Sequence, residues 1–234
     1  MDRFIHHSIV QKCKPRVDDN RGSIVYIESI ATLAQLGCKA KVLLNTNRNM
    51  TYDRDNRSLF VLPSTQDRIQ GVLNAAVVFV MYGDYECFQS ANVYRLIKVA
   101  QQQLKVSFGE NNLGFIFRHF PQVQIHPHAQ RAAQAAEAAA DQGQFWQMHE
   151  MLFIHQQELG NGYLVEYANR LGLDISQFLQ NLSRGVHVNR INADIEGGLR
   201  SGVEAAPALF INGIRYPNRW TVEQIMAAIV AAND

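Results

Sequence analysis

Val77-Val78-Phe79-Val80-Met81-Tyr82-Gly83-Asp84-Tyr85-Glu86-Cys87-Phe88-Gln89-Ser90 runs from apolar to polar and holds one cysteine. The nearly continuous apolar run from Ala75 to Met81 suits a central strand covered on both faces. A short loop follows. After Cys87, the apolar residues Val93, Leu96, Ile97, Ala100 and Leu104 recur at helical spacing and mark one buried stripe. Phe115 to Phe120, ended by Pro121, reads as a second strand, with Gly109 to Gly114 as the turn before it. Two parallel strands joined by a helix form a right-handed crossover. A lone cysteine therefore stands where a helix begins.

Beyond Pro121 the pattern turns helical. Ala129 to Asp141 is alanine-rich, with high helix propensity, and Gly143 breaks it. Phe145, Met148, His149, Leu152 and Phe153 form the next apolar face. Leu164, Tyr167, Ala168 and Leu171 form another, closed by Gly172 at a C-cap position. Asp174 with Gln177 resembles a capping box, and a further helix is expected from about Val188 to Arg200. The chain then returns to strand. Ala208 to Ile211 and Ile214 to Tyr216 flank Asn212-Gly213, a pair suited to a type I′ turn. Thr221 with Gln224 caps a last helix. The order is βαβ, a helical insertion, then ββα, which predicts an α/β fold with a mixed four-stranded sheet and helices on both faces.

The first 63 residues read as an N-terminal extension of uncertain structure. Ser29 to Leu36 suggests a short helix, Lys41 to Leu44 a short strand, and Asn45 to Ser58 a polar linker. Val17-Asp18-Asp19-Asn20 with Leu36-Gly37-Cys38 faintly resembles the opening of a response-regulator receiver, without that domain's length or its first apolar strand.

Composition narrows the function. Among 234 residues, 47% are hydrophobic, 18% are charged and the net charge is +1, which fits a globular chain without the basic field that draws nucleic acid. Cys13, Cys38 and Cys87 are too few for a disulfide framework and suit a reducing, cytoplasmic setting. The N-terminus lacks the apolar run of a signal peptide, and no stretch reads as a membrane span. His126 and His128 flank Pro127, with His119, His149 and His155 in the same half, but in no metal-ligand spacing. No metal site is expected. Phe145 and Trp146 read as core residues joining the insertion to the sheet.

With these residues in place, the chain resembles the DsbA-like branch of the thioredoxin superfamily. Tyr82-Gly83-Asp84-Tyr85-Glu86-Cys87 is similar to the segment entering that family's Cys-x-x-Cys. Arg118-His119-Phe120-Pro121, His126-Pro127-His128-Ala129, Phe145-Trp146-Gln147-Met148-His149, Ser201-Gly202-Val203, Pro207 and Phe210-Ile211-Asn212-Gly213 follow in the family's order, over about Asp67 to Ala232. The resemblance implies a thioredoxin-like fold over residues 64–234. A central mixed β-sheet would carry an all-helical domain, about residues 122–202, between the βαβ and ββα halves. It also implies thiol–disulfide exchange at Cys87 and a cis Ala206–Pro207 bond facing that thiol. Phe88, Gln89, Ala206 and Pro207 would be the substrate-binding residues.

Ser90 stands where the family's second cysteine is expected. A helix-start position favours a thiolate, and Ser90, on the same helix face, is placed to donate to it, while Glu86 opposes it as an adjacent negative charge. Without a second thiol, a mixed disulfide on Cys87 waits for an outside thiol such as glutathione, a possible co-substrate, or for Cys13 or Cys38. The expected partners are protein thiols and disulfides. Two rival readings stand beside this one. The first is a kappa-type glutathione transferase or isomerase that uses Ser90. The second is a non-catalytic binding module, motivated by Ser90, by Ala206 in place of the family's usual Thr or Val, and by the obscure first 63 residues.

Overall fold

Alternation along β2 (Val77–Gly83) divides the core in two. Val77, Phe79 and Met81 enter one apolar cluster, whereas Val78, Val80 and Tyr82 enter another on the opposite face of the sheet. The computed structural model describes residues 58–108, 113–216, 221–225 and 227, with the side chains of 104–108 excepted. The expected helix at Ser29 to Leu36, the strand at Lys41 to Leu44, the receiver-like segments, Cys13, Cys38 and nearly all of the polar linker lie outside the described residues.

β2 leads through Cys87 into α1 (Phe88–Phe108), and β3 (Leu113–His119) runs parallel to β2, with Phe79 opposite Phe115 and Met81 opposite Phe117. α1 buries Val93, Ile97 and Ala100 as the spacing predicted, and adds Ala91 and Tyr94 to the stripe. β4 (Ala208–Ile211) is antiparallel to β2, and β5 (Ile214–Tyr216) is antiparallel to β4. Asn212 and Gly213 join them with φ of 48° and 80°, the two positive angles that this pair was expected to supply. Asn212 also accepts from Val78 N at 2.8 Å and donates to Ala76 O at 3.0 Å, so the turn fixes the start of the central strand.

Among the described residues the sheet has five strands, not four, in the order β1-β3-β2-β4-β5. The additional strand is β1 (Arg68–Gln70), antiparallel to β3. Three half-buried residues carry too little alternation to be read as a strand, and pairing with β3 is what makes them one. Residues 58–62 also pack here. Ser58 bridges to Ile214, Leu59 is buried, and Phe60 N donates to Ser201 Oγ at 2.9 Å. Arg118 holds the same segment by donating to Val61 O at 2.7 Å.

Five helices lie between β3 and β4: α2 (Ala129–Ala140), α3 (Phe145–Ile154), α4 (Asn161–Arg170), α5 (Ile175–Arg184) and α6 (Val188–Arg200). The alanines of α2 let neighbouring helices approach closely, and nine of its residues are buried. Asp174 caps α5 by accepting from Gln177 N at 3.0 Å, but the reciprocal bond to Asp174 N comes from Gln142 at 2.7 Å. Thr221 and Gln224 form both halves of the capping box before helical residues 222–225.

Side chains of the insertion join it to the sheet, among them Asp194 of α6, which accepts from His119 N of β3 at 3.0 Å. Trp146 donates to Ile69 O of β1 at 3.2 Å. Glu137 of α2 is fully buried and takes Arg68 Nε at 3.2 Å and His119 Nε2 at 3.0 Å. Arg190 Nε of α6 lies 2.9 Å from its Oε2 as an ion pair without hydrogen-bond alignment.

Candidate functional site around Cys87

β2 must end without a side chain. A Cβ on Gly83 would lie 2.4 Å from the Phe117 ring, which covers that end of the strand. The next residue, Asp84, organises the loop. Its buried carboxylate accepts from Glu86 N, from Gln122 N and from His126 Nδ1, each at 2.8 Å. Its carbonyl accepts from Cys87 N at 3.2 Å, starting the turn that becomes α1. Tyr85 points inward, 5.3 Å from the Phe117 ring centroid, and its hydroxyl meets His149 Nδ1 at 2.8 Å. Burial, with help from His119 and Lys98, holds His149 well below the ordinary histidine range, so the ring is neutral.

Cys87 is a free, buried thiol at the mouth of α1. Its Sγ lies 3.3 Å from Gln89 Oε1 and 3.6 Å from Ala206 O, both acceptors. It forms part of the wall of a pocket of about 720 Å³, which Gln89, Asn92, Gln122, Ile125, His126, Ala206 and Pro207 also line. The Ala206–Pro207 peptide bond is cis. Ala206 N donates to Gln122 Oε1 at 3.1 Å, so the main-chain donor beside Pro207 is already engaged.

Two sequence expectations are corrected by the geometry, those for Ser90 and Glu86, and Phe88 lies outside the pocket wall. Ser90 is fully buried and its Oγ accepts from Asp84 N at 3.2 Å; among the described residues it makes no bond to Cys87 Sγ. It shapes the loop from behind, because the closed turn brings the Asp84 amide to it. Phe88 is 63% exposed and is not in the pocket wall, since the first turn of α1 rotates it outward. Glu86 is aimed away from the thiol. Its carboxylate accepts from His128 N at 2.7 Å, at the N-terminus of α2, where a negative charge is favoured.

Sequence reasoning passed over two residues that hold the site. Asp84, in the loop three residues before the cysteine, accepts from the amide two residues on, an Asx turn whose residue preference could have revealed it. Gln156 donates to Tyr85 O at 2.7 Å and to Cys87 O at 2.9 Å, clamping the loop from the far end of α3. Nothing local marks it. Three of these histidines have side-chain partners: His119 meets Glu137, His126 meets Asp84 and His149 meets Tyr85. Among the described residues no cluster of His, Cys, Asp or Glu is arranged to hold a metal, and no helix is long and apolar enough to cross a membrane.

Comparison with known proteins agrees with this architecture. Na(+)/H(+) antiporter NhaA 1 of Salinispora arenicola is 38% identical over 167 residues, 71% of this chain but 25% of that protein. Na(+)/H(+) antiporter NhaA of Herminiimonas arsenicoxydans is 32% identical over 166 residues, again 25% of its length. The chain thus spans about a quarter of the length of these curated relatives. Among solved structures, BdbD from Bacillus subtilis superposes with a TM-score of 0.63 at 21% identity, covering 76% of this chain and 99% of that one. Alpha-DsbA1 from Wolbachia pipientis gives a TM-score of 0.62 at 17% identity, covering 74% and 94%. The family model described as Thioredoxin matches residues 64–231, and on that match, with a sheet and inserted helices like those of DsbA-like structures, the chain belongs to the thioredoxin family.

Proposed function

We propose that this chain is a DsbA-like thiol–disulfide oxidoreductase that works with one thiol, Cys87. The observation that carries the reading is the position of Sγ in the wall of a pocket, in contact with Ala206 O at 3.6 Å and beside the cis Ala206–Pro207 bond. A substrate disulfide entering the pocket would meet the sulfur and the Ala206–Pro207 main chain side by side. Cys87 thiolate attacks one substrate sulfur, the substrate S–S bond breaks, and the departing sulfur takes the electron pair as a thiolate. The product is a mixed disulfide on Cys87. Ser90 cannot resolve it, so a second thiol from outside attacks the substrate sulfur and releases Cys87. The physiological substrates on this reading are protein thiols and disulfides, with glutathione as the releasing thiol in a reducing cytoplasm.

Ser90 has a place in the loop, not in the exchange. A glutathione transferase reading needs its hydroxyl in the pocket, and full burial against Asp84 N argues against that. Trapping is the direct test. Cys87 should accumulate mixed disulfides with protein thiols from a lysate and with glutathione disulfide, and Cys87→Ser should accumulate none. Equal trapping by both forms, or none by either, would leave the fold as a non-catalytic binding module.

A further inference from the structure

We infer that His126 is the proton carrier for exchange at Cys87, held in one tautomer by Asp84; the inference rests on the single-thiol reading above. Asp84 is 1% exposed, and its Oδ2 lies 2.8 Å from His126 Nδ1. A carboxylate on Nδ1 places the N–H there and leaves Nε2, on the opposite side of the ring, to exchange protons. Nε2 has no protein partner among the described residues, and the side chain, 20% exposed, helps wall the pocket that contains Cys87. The remaining carboxylate contacts, Glu86 N and Gln122 N, fix Asp84 so that the ring it holds is fixed too.

A single-thiol cycle needs such a group twice. First, Nε2 takes the Cys87 proton through solvent in the pocket, since the thiol itself contacts Gln89 Oε1 and Ala206 O, and the thiolate attacks the substrate disulfide. The sulfur that leaves with the electron pair receives the proton from Nε2 and departs as a thiol. Next, the incoming thiol gives its proton to Nε2 and attacks the substrate sulfur of the mixed disulfide. Cys87 leaves with the electron pair and regains the proton. One disulfide and one thiol enter, one disulfide and one thiol leave, and His126 ends as it began.

The readout is sensitivity to the leaving thiol, because a stable aromatic thiolate departs without a proton whereas an alkyl thiolate benefits from one. The full chain is reacted with 5,5′-dithiobis(2-nitrobenzoate) and with bis(2-hydroxyethyl) disulfide, subtracting the rates of Cys87→Ser. Glutathione serves as the reference nucleophile. The wild-type rate should fall less between the aromatic and alkyl disulfides than that of glutathione. His126→Gln, which keeps an N–H for Asp84, should slow the alkyl reaction by about 10-fold or more and the aromatic one by less than about 2-fold. Equal slowing of both reactions, or a wild-type fall as steep as that of glutathione, overturns the assignment. If His126→Gln does not fold, the wild-type comparison decides alone. Failure of Cys87 to react with either disulfide would instead remove the thiol–disulfide reading beneath it.

Discussion

Replacing Glu137 with alanine should weaken the joint between sheet and insertion more than any surface change could. The carboxylate is fully buried and serves Arg68 from β1, His119 from β3 and Arg190 from α6. Its removal strips a partner from three groups at once. Breaking a buried ion pair by deleting one member costs about 3–5 kcal/mol, because the other charge stays desolvated. Here the loss should sit near the lower end, about 3 kcal/mol. Arg68 and Arg190 keep side-chain exposures of 29% and 25% and recover some hydration, and the half-buried carboxylate of Asp194 interacts with Arg190 and His119. For a domain of this size that corresponds to a fall of roughly 6–12 °C in Tm. The pH dependence gives a second signature. Burial pushes the Glu137 carboxyl up, but His119, Arg68 and Arg190 outweigh it and hold the group well below the usual range. Since the folded value is depressed, its contribution is complete above the unfolded value, about 4.3, and is lost as pH falls below that. Urea unfolding followed by circular dichroism should therefore show wild type and Glu137→Ala far apart at pH 7 and converging toward pH 3. A difference under about 1 kcal/mol at pH 7, or one that does not shrink with acid, would refute the account of Glu137 as the joint.

Two further substitutions address the loop and the pocket. Gln156→Ala removes both bonds to Tyr85 O and Cys87 O, at a cost of about 1–3 kcal/mol. Alkylation of Cys87 by iodoacetamide should speed up severalfold, while amide exchange in β2 and β3 stays as in wild type; unchanged alkylation would mean that Gln156 clamps nothing. Gln122→Ala frees Ala206 N from the Gln122 side chain but keeps the main-chain bond to Asp84. An extended peptide disulfide would then find an open donor beside Pro207, and its affinity should rise by roughly 2–10-fold, the worth of one hydrogen bond. Calorimetric titration of a peptide disulfide against Cys87→Ser and its Gln122→Ala double variant checks this, and a drop in affinity would show that the glutamine itself contacts substrate.

What was legible in the sequence was what neighbouring residues decide for one another. The run from Ala75 to Met81 announces a strand buried on both faces, and Asn212-Gly213 announces a turn, because strand burial and positive φ are local demands. Thr221 with Gln224 announces a helix start for the same reason. The position of Cys87 at a helix mouth belongs to this class. The surroundings of the thiol do not. Ala206 O, which faces Sγ, comes from a residue 119 positions away, and Gln156, which holds the loop, contacts it only through carbonyl oxygens that every residue possesses. No residue type at Tyr85 or Cys87 could betray that partner. Adjacency in the chain also misleads about charge. Glu86 precedes the thiol and so reads as a repulsive neighbour, yet its carboxylate is drawn to the start of α2, because a helix N-terminus offers free N–H groups in the direction the side chain leaves the loop. Ser90 reads as a donor to the sulfur until the turn closes and presents the Asp84 amide to it. In both cases the local rule was sound and the competitor for the side chain lay elsewhere. The chemistry of this site follows from which competitor wins: with Ser90 and Glu86 engaged on main chain, the polar side chains lining the pocket with Cys87 are Gln89, Asn92, Gln122 and His126, and of these only His126 can carry a proton.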